Sequence, residues 1–237
     1  MIKFNYYSLA EAHLAEGVTV VIDVLRAFTS AAFAFDNGAL KILPVSSVDD
    51  AFALKKALPE SLIMGEVNGF KPEGFDFSNS PALIARSDLM GKTLIQRTSA
   101  GTQGLVRAVN AAHLLAGSFV VAKSTADILH MIKPDRISFI ITGKSLGRDG
   151  DEDRACAEYI EALVLKDDPD PVDYVQRIMT SSVGKSFLSG STPYFLEKDL
   201  SMSAQINIFD FALLVRREEG RLVMRPVTDF GAVHKQA

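Results

Sequence analysis

Short apolar runs alternate with amphipathic stretches along most of the chain. Thr19-Val20-Val21-Ile22 is β-branched and continuous, the pattern of a strand buried on both faces. Residues 27–37 follow, Ala-rich and apolar, with Gly38 placed to stop a helix. Lys41-Ile42-Leu43-Pro44-Val45 reads as a second strand, with Pro44 near its end. Ser47 is then set to cap a helix carrying Asp49 and Asp50 in its first turn and Pro59 beyond its end. Further strands are predicted at Leu62-Ile63-Met64, Thr93-Leu94-Ile95-Gln96, His113-Leu114-Leu115-Ala116 and residues 136–142. Helices are predicted from Ser80-Pro81 and over 102–110, 124–132 and 152–165.

This repetition predicts an α/β fold: a three-layer α/β/α arrangement around a mainly parallel sheet. The pattern changes after Lys166. Asp167-Asp168-Pro169-Asp170-Pro171 is a turn-rich acidic break, and residues 172–205 read as short helices and loops. Residues 211–216 and 221–225 flank Glu218-Glu219-Gly220 as a C-terminal β-hairpin. The expectation is one domain over residues 1–237, an α/β unit with a helical excursion and a closing hairpin.

Composition narrows the class. Hydrophobic residues make up 48% and charged residues 23%, which supports a packed core over disorder. The net charge of −4 argues against nucleic acid as the main partner, since phosphate backbones reward a clustered basic surface. Cys156 is the single cysteine, so no internal disulfide and no cysteine-based zinc site can form, and its Ala neighbours suggest a buried structural thiol. His13, His113, His130 and His234 lack metal-ligand spacing. The longest uncharged stretch, residues 108–122, is too short and too polar to span a bilayer, and the start does not read as a signal peptide. The expected setting is the cytoplasm, with no membrane partner and homodimerisation left open.

Ligands of open parallel sheets collect outside the carboxyl ends of the strands. The first strand delivers Asp23 and Arg26; the third, Glu66 and a loop containing Asp76 and Asn79; the fourth, Arg97-Thr98-Ser99-Ala100-Gly101-Thr102. The last strand leads to Lys144, Arg148 and the acidic run Asp149 to Asp153. Asp23, flanked by apolar residues, is costly to bury alone. It reads as a partner of Arg26 in a buried salt bridge, as a Mg²⁺ ligand, or as a nucleophile. The turn after Gln96 places hydroxyls and backbone N–H groups where an anion would sit. Neither Gly143-Lys144-Ser145 nor Gly184-Lys185-Ser186 has the earlier glycine of a P-loop, and no G-x-G-x-x-G supports a nicotinamide cofactor.

Several stretches together carry a family resemblance: residues 20–27 (Val-Val-Ile-Asp-Val-Leu-Arg-Ala), Asn37-Gly38-Ala39, Pro44-Val45, Gly65-Glu66, residues 74–81 (Gly-Phe-Asp-Phe-Ser-Asn-Ser-Pro), 98–102, Glu152-Asp153 and the portion around Asp210. In this order they resemble the 2-phosphosulfolactate phosphatases, the ComB-like family. The resemblance implies a Mg²⁺-dependent α/β phosphatase converting (2R)-2-phospho-3-sulfolactate to sulfolactate and phosphate, a step toward coenzyme M. The family usually has Thr-Thr-Asn-Gly-Thr where this chain has Thr98-Ser99-Ala100-Gly101-Thr102, so an Asn is replaced by Ala100.

The combined expectation is a phosphomonoesterase for a small phosphorylated acid. Mg²⁺ is assigned to Asp23 with one or two of Glu66, Asp76 and Asp153. Arg26 and Arg97 neutralise the substrate's anionic groups. Asn79, Thr98, Ser99, Gly101 and Thr102 contact its oxygens. Ser99 and Asp23 both stay open as sites of a phospho-enzyme. The rival expectation is an anion-binding or sensor protein that keeps the pocket without turnover, with Ala100 as the feature favouring it.

Overall fold

The computed structural model describes residues 2–144, 148–189, 194–229 and 231; His234 lies outside them. Strand β1 (Lys3–Ser8) leads through a 3-10 turn to β2 (Gly17–Ile22), then α1 (Ala27–Asp36), β3 (Lys41–Pro44), α2 (Val48–Ala57) and β4 (Leu62–Gly65). A short β5 (Phe77–Ser78) precedes α3 (Pro81–Ile84), β6 (Thr93–Arg97), α4 (Gly101–Arg107) and β7 (Ala111–Gly117). Next come α5 (Ala122–Ile132), β8 (Arg136–Ile141) and α6 (Asp151–Leu165). The helical excursion is α7 (Pro171–Thr180), α8 (Ser182–Leu188) and α9 (Glu197–Ser203), and the hairpin is β9 (Ala212–Glu218) with β10 (Arg221–Val227).

The α/β expectation holds. Local chemistry explains the boundaries: the Ser47 side chain accepts from Asp50 N–H at 3.0 Å, and Ser80 caps α3 with Pro81 in its first turn. Strand β1 carried no expectation, because Lys3-Phe4-Asn5-Tyr6-Tyr7-Ser8 lacks strict alternation.

All ten strands join one sheet in the order β1-β8-β2-β7-β9-β10-β3-β6-β4-β5. Each flank is parallel within itself. The hairpin stands between the flanks, pairing antiparallel with β7 on one side and β3 on the other. Side chains alternate across the sheet as the period of two requires. Val21, Ile140, Leu213, Met224, Ile42, Leu94 and Met64 face a core built on α1 and α4. On the opposite face, Val20, Ile22 and Phe139 pack with α5 and α6, while Leu43, Ile63 and Ile95 pack with α2. Helix α1 is buried from Ala27 to Phe35, which explains why its sequence has no polar stripe.

Three antiparallel pairings in succession reverse the sense of the second flank. In a flat sheet the ends of β2 and β6 would lie at opposite edges. The folded chain instead brings them together: a Cβ added to Gly101, just after β6, would stand 2.7 Å from Asp23 Oδ2, just after β2.

Candidate functional site

Those ends meet in a hollow of about 280 Å³, whose lining includes Asp23, Arg26, Glu66, Asn79, Ser99 and Ala100. Volume and mixed polarity suit a small polar ligand.

Asp23 follows β2 directly. Its Oδ1 accepts from the N–H of Ala27, the first residue of α1, at 2.9 Å. An anion is favoured at that helix end. The Gly101 Cα lies so close that an added Cβ would stand 2.7 Å from Asp23 Oδ2 and 2.7 Å from Ala27 Cβ. Only glycine lets the β6–α4 turn approach Asp23 this closely. Burial pushes the Asp23 carboxyl up to about 6; the bond from Ala27 N–H opposes the rise and the Glu66 carboxylate adds to it.

Glu66 follows β4 and is held against the next junction. Its Oε1 accepts from Ser99 N–H at 2.6 Å; its Oε2 accepts from Gly69 N–H at 2.6 Å and from Ser99 Oγ at 3.1 Å. Gly65 makes this approach possible, since a Cβ there would lie 1.9 Å from the Arg97 carbonyl at a φ of +140°. Arg97 braces the arrangement from behind: its Nη1 donates to the Glu66 carbonyl at 2.8 Å. It does not line the hollow.

Thr98 and Thr102 are buried and bond each other. Thr102 Oγ1 accepts from Thr98 N–H at 2.8 Å, and Thr98 Oγ1 accepts from Thr102 N–H at 3.0 Å. They lock the turn that presents Ser99, and neither lines the hollow. Asn79 lines it, and its buried Oδ1 has no hydrogen-bond partner.

Of the readings open for Asp23, the salt bridge to Arg26 does not form. Arg26 turns to the helical excursion, where its Nη1 donates to Asp199 Oδ2 at 2.6 Å and to the Tyr194 carbonyl at 2.9 Å. Its guanidinium carbon lies 5.2 Å from the ring centre of Phe187 and 5.3 Å from that of Phe195. Asp199 was not singled out from the sequence. It sits within Glu197-Lys198-Asp199, a run indistinguishable from a solvated helix start.

Asp153 lies behind Asp23. Its Oδ1 accepts from Val24 N–H at 2.8 Å and its Oδ2 from Gly143 N–H at 2.7 Å. Burial, with Glu152 and Asp23 beside it, holds its carboxyl well above the usual range. Asp76 is not brought to the hollow: it is exposed, and its Oδ2 accepts from Ile63 N–H within β4. Cys156 is fully buried and its thiol is pushed up by burial, as a structural cysteine would be.

Among the described residues, no group of three or more His, Cys, Asp or Glu side chains is arranged to hold a metal ion. Mg²⁺ asks for less: one or two carboxylates, with waters and substrate phosphate completing its shell. Asp23 and Glu66, with the unpartnered Asn79 oxygen, fit that oxygen-only requirement. Among the described residues no helix is long and apolar enough to cross a membrane.

Carboxylates, a guanidinium, a hydroxyl and an amide at converging strand ends define an α/β protein with a hollow suited to a small anion. A family model described as 2-phosphosulpholactate phosphatase matches residues 5–218. A probable 2-phosphosulfolactate phosphatase of Bacillus subtilis (strain 168) is 35% identical over 216 residues, covering 90% of this chain and 92% of the relative. One from Carboxydothermus hydrogenoformans is 36% identical over 215 residues, covering 86% and 89%. One from Clostridium perfringens (strain 13 / Type A) is 31% identical over 221 residues, covering 87% and 89%. The chain belongs to the 2-phosphosulpholactate phosphatase family, whose named members are phosphoric monoester hydrolases.

Proposed function

We propose that this chain hydrolyses a small phosphorylated 2-hydroxy acid of the 2-phosphosulfolactate kind, assisted by Mg²⁺, in the cytoplasm and on a route to coenzyme M. One observation carries the reading: side chains from separate β-α junctions converge on a single small hollow, in a chain whose relatives bear that name.

Asp23 and Glu66 would hold the cation, and the unpartnered Asn79 amide oxygen could join them. Mg²⁺, when bound, supplies neutralisation of the phosphate oxygens. Arg26, which also lines the hollow, supplies a fixed positive charge. Glu66 also fixes the Ser99 N–H and hydroxyl, so that turn keeps its shape when the substrate arrives. A water attacks phosphorus in line as the bond to the substrate oxygen breaks. A hollow carboxylate takes the water's proton, and the departing alkoxide gains one. The apolar wall of Leu25, Val183, Phe187 and Phe195 excludes bulk water.

The test is phosphate release from (2R)-2-phospho-3-sulfolactate and from p-nitrophenyl phosphate, with Mg²⁺ and with EDTA. Release that needs Mg²⁺ and favours the sulfonated substrate supports the reading. Release indifferent to EDTA removes the metal from it. Ala100, which lines the hollow where the family usually has Asn, favours a second reading as an anion-binding protein. Phosphate binding without turnover of any phosphorylated 2-hydroxy acid would select that reading.

A further inference from the structure

Asp199 is fully buried, and its two oxygens hold two different elements. Oδ2 receives Arg26 Nη1 at 2.6 Å. Oδ1 receives the Ser80 hydroxyl at 2.6 Å and the Ala82 N–H at 3.0 Å. Arg26 lines the hollow from the β2–α1 junction, and Asn79, next to Ser80, lines it from the turn before α3. The Asn79 side-chain oxygen has no partner of its own. On its α3 side this turn is held through its neighbour Ser80, and on the other side through the pairing of β5 with β4. We propose that Asp199 is a positioning residue for the anion site: one carboxylate on α9, itself held by the Ser80 hydroxyl and the Ala82 N–H, sets the direction of Arg26.

The chemistry explains why a carboxylate is needed. Arg26 is only 4% exposed, and a buried guanidinium requires a charged partner or costs heavily. A neutral side chain would accept from Arg26 more weakly and leave the cation free to turn toward other acceptors. The Phe187 and Phe195 rings, stacked at 4.5 Å, flank the guanidinium but supply no directional bond. Among the described residues Asp199 is its carboxylate partner, adding an ion pair to the bond that Arg26 gives the Tyr194 carbonyl, and the same group ties the excursion to the Asn79 turn. A residue contributed by the excursion, which the β-α repeat does not contain, thus determines how the hollow presents the Arg26 guanidinium. This rests on Arg26 contacting the substrate anion, as proposed above.

The experiment is a double-mutant cycle read as the inhibition constant of inorganic phosphate against p-nitrophenyl phosphate, with folding checked by circular dichroism. Asp199→Asn is expected to raise that constant about tenfold, and Arg26→Met by at least as much. The double variant should match Arg26→Met to within about twofold, because Asp199 acts through Arg26. Additive losses, or an unchanged constant in a folded Asp199→Asn protein, overturn the positioning role alone. An unchanged constant in Arg26→Met overturns the assignment of Arg26, and the proposal falls with it. Ser80→Ala keeps the charge pair but removes one donor to the same carboxylate. It covers the case where Asp199→Asn does not fold: a smaller rise, absent in the Arg26→Met background, supports the proposal, and no rise overturns it.

Discussion

The Glu66 carboxylate receives the Ser99 N–H at 2.6 Å, bridging the ends of the neighbouring parallel strands β4 and β6. The same carboxylate takes Ser99 Oγ and Gly69 N–H, so one side chain sets the relation of two loops in the hollow. Glu66→Gln turns an NH₂ group toward at least one of these donors and leaves it unpaired. The expected result is a loss of about 10²-fold in kcat/KM with the fold intact, since small misplacements at a reacting centre cost that much. Steady-state kinetics with far-UV circular dichroism checks it.

Asp23 sets stability against function. Its carboxyl is pushed from the usual 3.8 to about 6 by burial. The folded protein therefore binds more protons than the unfolded chain between these values, and stability falls as pH rises through that window. Well below the unfolded value, at about pH 3, the group is mostly protonated in both states and the penalty is nearly gone. Asp23→Asn is expected to abolish phosphate release yet stabilise the protein in EDTA at pH 8 by on the order of 3 kcal/mol, with the gain nearly lost by about pH 3. Thermal or urea unfolding at the two pH values measures this directly.

Gly101 permits the close approach of the β6–α4 turn to Asp23. In Gly101→Ala the new methyl meets Asp23 Oδ2 and Ala27 Cβ at 2.7 Å. Overpacking of this kind costs about 1–3 kcal/mol. The expected outcome is a lower thermal midpoint together with lost activity, because the atom displaced is the Asp23 carboxylate itself.

Ala100 occupies the N-cap position of α4 and makes no side-chain cap bond. Ala100→Asn restores the residue usual in the family and adds a capping oxygen, expected to contribute about 0.5–1 kcal/mol. It also puts an amide on the wall of the hollow. A raised thermal midpoint with a lower KM for the sulfonated substrate is the expected pair of results. A raised midpoint with unchanged KM would confine Asn to capping.

Much of this protein was legible in its sequence because the controlling physics is local. The β-branched run ending at Ile22, the Ser47 and Ser80 caps and the alternation of strands with helices depend on neighbours a few residues away. Asp23, Glu66, Asn79 and Ser99 could be proposed from strand-end position alone, and each lines the hollow. Asp76 could not be separated from them, because strand ends and loop positions look alike before the chain is folded. Thr98 and Thr102 were read as ligand contacts, but their hydroxyls close the turn on themselves.

What only the tertiary structure decided depends on long separations. The hairpin enters the middle of the sheet by pairing β9 with β7 and β10 with β3, and no local pattern encodes those partners. Those pairings decide in which sense each flank runs, and so where each strand end is carried. Arg26 binds Asp199, 173 residues away, instead of the nearby Asp23. Hydrophobic periodicity reports which face of an element is buried; it carries no record of what that face, or a charge beside it, will touch.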